Sequence, residues 1–160
     1  MKWRAWLGLI LRCSIEAAAA DPASVPDLKP DPALTPKQVI EFQLEVLRRN
    51  DELADNRGIE RAFRFASPNN RTVTGPLQHF IQIINQPDYS ALLHSVSYFV
   101  GQVEVENDQA RSIVTITTTA DERVRYVFIL SRQSGGEYKG CWMTDAVLPV
   151  QDQDDGLIHA

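Results

Sequence analysis

A chain of 160 residues with 44% hydrophobic and 23% charged residues has the length and composition of one globular domain with flanking tails. Its formal net charge of −5, without a basic stripe, argues against nucleic acid and anionic membrane surfaces as main partners. Two cysteines, Cys13 and Cys141, are too few for a zinc site of their own.

Residues 1–20 join a basic start at Lys2 and Arg4 to an apolar run from Trp6 to Leu11, then small residues at Ala18 and Ala20. That is the pattern of a cleaved leader. Arg12 leaves the run too short to span a bilayer, and an amphipathic organelle transit peptide competes with an export signal. Loss of the leader would move the net charge to −7 and leave Cys141 as the mature thiol, without an internal disulfide. Cys141 sits among apolar residues and reads as inert packing. Residues 21–35 hold four prolines and no apolar period, the composition of an extended linker.

Thr35-Pro36-Lys37-Gln38 reads as a capping box with proline at the first helical position, and the helix should run to about Asn50. Val39, Ile40, Phe42, Leu44, Val46 and Leu47 cover a broad apolar arc, with Gln43 at its centre. A buried amide there either ties down backbone or points into a cavity. Asn56-Arg57-Gly58 breaks the pattern, and Ile59 to Ala66 makes a second helix ended by Ser67-Pro68. Asn70-Arg71-Thr72 has the form of a glycosylation sequon. Thr74-Gly75-Pro76 opens a third helix with Leu77, Phe80, Ile81 and Ile84 on one face and His79 toward solvent. One more turn follows at Tyr89 to Leu93.

The period then changes to two. The segment from His94 to Glu106 alternates, and its phase flips at Gly101, the mark of a β-bulge that bends a strand. Further strands are expected from Arg111 to Thr119, Arg123 to Gln133 and Tyr138 to Leu148, with Ser134-Gly135-Gly136 as a hairpin turn. Residues 151–160 form a polar tail. The expected fold is α+β: amino-terminal helices packed on a strongly curved, four-stranded antiparallel sheet over residues 36–150.

The polar loop Ser67 to Pro76 is the first functional candidate. Asn70 and Arg71 lie in it, and Arg71 suits an anionic group, while Ser67, Asn70 and Thr74 are also natural capping and turn residues. Tyr98, Tyr126, Phe128 and Trp142 supply aromatic strand surface that either lines a pocket or fills a core. Glycine-rich phosphate loops, metal-ligand spacings and nucleophile elbows are absent from the sequence, so no cofactor and no metal is expected.

The stretches Gln43-Leu44 with Asn50-Asp51, Gly58-Ile59-Glu60, Phe65-Ala66-Ser67-Pro68-x-Asn70-Arg71, Thr74-Gly75-Pro76-Leu77-x-x-Phe80 and Tyr138-Lys139-Gly140-x-Trp142-Met143-Thr144-x-Ala146-Val147 carry a resemblance. The chain resembles the nuclear-transport-factor-2-like superfamily of α+β cones, and within it an uncharacterised family of plants, algae and bacteria. The likeness covers residues 36–150. It implies a pocket inside the curved sheet and suggests a homodimer paired across that sheet. The motifs look closer to those of plant and algal members, which favours a plastid route for the leader. Enzymes of the superfamily place an acid or base in the cone, which makes Asp145 and His94 the candidate catalytic residues here, although no His–Asp pair is visible in the sequence. Three readings follow: a non-catalytic cone that binds a small molecule or a protein, with Gln43, Asn70, Arg71, Tyr98, Tyr126 and Trp142 as ligand contacts; a small isomerase- or dehydratase-like enzyme; and a structural partner subunit with a filled core.

Overall fold

In the computed structural model, which describes residues 25–151, the first helix begins where the capping box places it. Helix α1 spans Pro36–Arg48. Thr35 Oγ1 accepts from the Gln38 amide at 3.3 Å, and Gln38 Oε1 accepts from the Thr35 amide at 2.9 Å. Two orphan donors of the first turn are satisfied by this exchange. The apolar arc is buried, with Val39, Ile40 and Val46 fully so, and each such side chain contributes about 1.5–3 kcal/mol in transfer terms. The expected leader, residues 21–24 and the tail beyond residue 151 lie outside the described residues.

After α1 the chain passes through two short 3₁₀ turns and reverses at Asp55 and Asn56, both in the left-handed region. Helix α2, Arg57–Phe63, starts two residues earlier than its periodicity indicates. Gly58 lies inside the helix, where it allows close approach to α1. Asn50 Oδ1 accepts from the Ile59 amide at 3.1 Å, a cap supplied from outside the helix. Helix α3, Pro68–Thr74, occupies the segment expected to be a loop. It has no apolar stripe to reveal it, but Ser67 caps it by accepting from the Asn70 amide at 3.2 Å, and Pro68 sits in its first turn. Helices α4, Leu77–Ile84, and α5, Pro87–Ser90, complete the layer.

The sheet is antiparallel and curved. It contains β1, Ser95–Val100; β2, Glu104–Glu106; β3, Gln109–Thr118; β4, Arg123–Arg132; and β5, Trp142–Val150. The order is β1-β3-β4-β5, with β2 also paired to β3. The long first strand is therefore two strands in one lane, making five in all. Val100 pairs with Val114 and Glu104 with Arg111, so the chain gains one residue on its partner across Gly101. That insertion causes the phase flip seen in the sequence. A side chain at Gly101 would meet the Ile113 carbonyl oxygen at 2.8 Å.

The inner face carries Val100, Val114, Ile116, Tyr126, Phe128 and Leu130 against α1 and α2. Residues 25–31 have neither helix nor strand, yet they lie on the domain. Val25 and Leu28 pack against the core, and Asp27 meets Arg64 at 2.7 Å.

Candidate functional site

The alternation of β5 breaks at one residue. Thr144 pairs with Leu130 and Ala146 with Ile129, which leaves Asp145 as an extra residue in a bulge. Bulges re-aim side chains at strand edges. Here the bulge sets Asp145 on the wall of an open cavity of about 380 Å³ between the helices and β5. The floor is Leu47, Ala62, Ala66 and Phe128; α4 adds Phe80, Ile83 and Ile84. Ala62 and Ala66 are small residues on the core side of their segment, and their missing volume helps make the space. Asn69, Asn70, Thr74 and Asp145 supply polar groups to the wall, along with Gln43, Tyr89 and Thr144. Asp145 is half-buried and is the sole Asp, Glu, Lys, Arg or His among the described lining residues.

A buried polar node holds this wall in place. Gln43 Nε2 donates to the Ala62 carbonyl at 3.0 Å, and Thr144 Oγ1 donates to Gln43 Oε1 at 2.6 Å. The Thr144 amide donates to the Phe65 carbonyl at 2.7 Å, and the Thr144 carbonyl accepts from Ser67 N at 2.9 Å and Asn70 Nδ2 at 3.0 Å. Strand β5 is thus stitched to the connection between α2 and α3. Gln43 both ties down backbone and lines the cavity. Asn70 does the same, through its side-chain amide bond to the Thr144 carbonyl.

The other residues expected at the site lie elsewhere. Arg71 Nη2 donates to the Arg64 carbonyl at 2.9 Å, at the end of α2, and the guanidinium stands over Phe63 and Tyr138. This cation complements a helix carboxyl end. Tyr98 is half-buried, with its phenol pushed up by burial and then by Glu45. Trp142 is buried, with the Arg132 guanidinium 4.9 Å from its ring. His94 is exposed, with Nδ1 3.8 Å from Asp51, so it is not assembled with Asp145 in the cavity. Cys141 is buried, and burial raises its thiol pKa.

Tyr126 is a fully buried core residue. Its hydroxyl donates to the Asp88 carbonyl at 2.8 Å, and burial pushes the phenol up to about 12. The fold favours the neutral phenol, so the contribution is complete below about pH 10 and is lost as pH rises through the folded value. The stability advantage of wild type over Tyr126→Phe should shrink by roughly 2–3 kcal/mol between about pH 10 and about pH 12. Urea unfolding of both proteins across that range measures it; a constant difference would contradict it.

Sequence reasoning missed Thr144, Leu47, Ala62, Ala66 and Ile83. The available signal was the pair of alanines at core positions, which marks missing volume. Compared with known proteins, residues 31–156 match the model of a family described as a domain of unknown function (DUF4864). No curated protein and no solved structure matches the chain.

Proposed function

Because the chain belongs to this domain family, whose description carries no activity, we propose its function from its own cavity: it binds a small, largely apolar molecule between the helices and β5. The observation that carries this reading is the open, mostly apolar space beside a wall anchored by the bond between Thr144 and Gln43. Such concave sites with few polar groups are the usual form of small-molecule sites. Helices on one face of a curved sheet with a cavity between them also support the kinship with the nuclear-transport-factor-2-like cones that the motifs suggested.

An isomerase-like use of Asp145 as general base is the alternative. Binding is preferred because no lysine, arginine, histidine or second carboxylic acid among the described lining residues stands with Asp145 to polarise a substrate carbonyl. Asn70 gives one of its amide hydrogens to Thr144, and Tyr89 donates its hydroxyl to the Val147 carbonyl at 3.2 Å. A homodimer is a separate reading, favoured by the outer sheet face. Ile113, Val127 and Leu148 are in register across β3, β4 and β5, and Phe99 nearby is 69% exposed. The binding reading is tested by titration with N-phenyl-1-naphthylamine, a neutral apolar fluorophore. Saturable enhancement is expected, and its absence would contradict the reading.

A further inference from the structure

The charge on the cavity wall says more about the occupant, given the binding reading above. Asp145 is half-buried at the bulge of β5 and has no hydrogen bond or ion pair among the described residues. Carboxylates elsewhere on the described surface are commonly paired: Asp27 with Arg64, Glu45 with Arg48 and Glu104 with Arg111. No lysine, arginine or histidine is among the lining residues described. A neutral apolar occupant that covered Asp145 would strip water from an uncompensated anion, which is costly. An anionic occupant would add repulsion to that cost. An occupant with an ammonium group would offset it through a charge-assisted hydrogen bond. Asn70 commits its amide nitrogen to Thr144 and keeps Oδ1 as a second acceptor on the same wall.

We propose that the cavity selects cationic amphiphiles: the ammonium group of an alkylamine meets Asp145, and its apolar chain lies over Leu47, Phe80 and Ile83. Recognition by a carboxylate set in an apolar wall gives specificity for charge and leaves the chain loosely specified.

The test is displacement of bound N-phenyl-1-naphthylamine by octylamine, octanol and octanoate at neutral pH and low salt, on the full chain and its Asp145→Asn variant. In the wild type, octylammonium should compete about tenfold better than octanol, and octanoate worse than octanol. In Asp145→Asn the gap between octylammonium and octanol should close to about twofold or less. Equal displacement by all three in the wild type, or a gap that survives in Asp145→Asn, would overturn the charge assignment while leaving the apolar site standing. A protein that never takes up the fluorophore would overturn the binding reading, and this inference with it.

Discussion

Replacing Gly58 with alanine is expected to destabilise the domain by about 2–3 kcal/mol, against the helix propensity of the two residues. At an exposed helical position the same change would stabilise by about 1 kcal/mol. Here the new Cβ would lie 2.8 Å from the Asn50 Cα and closer still to the Val46 carbonyl oxygen. Both obstacles are backbone atoms, so no rotamer change relieves them. Helices α1 and α2 would have to separate, and the cap from Asn50 to the Ile59 amide would stretch with them. Ala62 is on the same short helix, so the cavity wall would shift too. Urea unfolding should show a lower midpoint with an unchanged slope. Gly135 has open space around its missing side chain, so Gly135→Ala serves as the control, expected within about 0.5 kcal/mol of wild type. A stabilised Gly58→Ala would refute the close helix contact.

The second large effect is at the polar node. Gln43→Leu removes the bond to Ala62 and leaves the Thr144 hydroxyl buried without its acceptor. The expected loss is about 2–3 kcal/mol, mainly the cost of that unpaired hydroxyl. Thr144→Val should cost about 1–2 kcal/mol, because the Gln43 oxygen is orphaned instead. In the double variant both unpaired groups are gone, and the Ala62 carbonyl still accepts from the Phe65 amide at 3.1 Å. Its loss should fall short of the sum of the singles by about 1 kcal/mol or more. Strict additivity in equilibrium unfolding would show that the bond between Gln43 and Thr144 contributes nothing.

The elements visible in the sequence are those whose signals are local. The capping box at Thr35 and the apolar arc of α1 have a fixed spacing, and the helix follows it. The phase flip at Gly101 was visible because alternation is a regular pattern that one inserted residue disturbs. Helix α3 was not visible: seven mostly polar residues carry no period, and its stability comes from the Ser67 cap and from Asn70 bonding to a strand 74 positions away. The bulge at Asp145 has no glycine to announce it, and uninterrupted alternation would put Asp145 on one face with Cys141 and Met143. Among the expected ligand contacts, Gln43 and Asn70 reach the cavity because polar residues within apolar surroundings need partners there. Tyr126 and Trp142 became core instead, since aromatic residues on an inner sheet face fill space as readily as they line it. Arg71 was read as an anion contact from its charge, while its geometry serves the end of α2.

The cavity itself is tested most directly by filling it. Ile83 is half-buried on its wall, so Ile83→Trp can occupy the space without disturbing the fully buried core. Titration of N-phenyl-1-naphthylamine into wild type and Ile83→Trp, with melting temperatures measured beside it, is the decisive comparison. A bound probe in the wild type, and at least about tenfold weaker uptake in a variant that melts at a similar temperature, is the result expected for a site between α4 and β5. Equal uptake by the two proteins would place the probe somewhere else on the molecule and contradict the assignment.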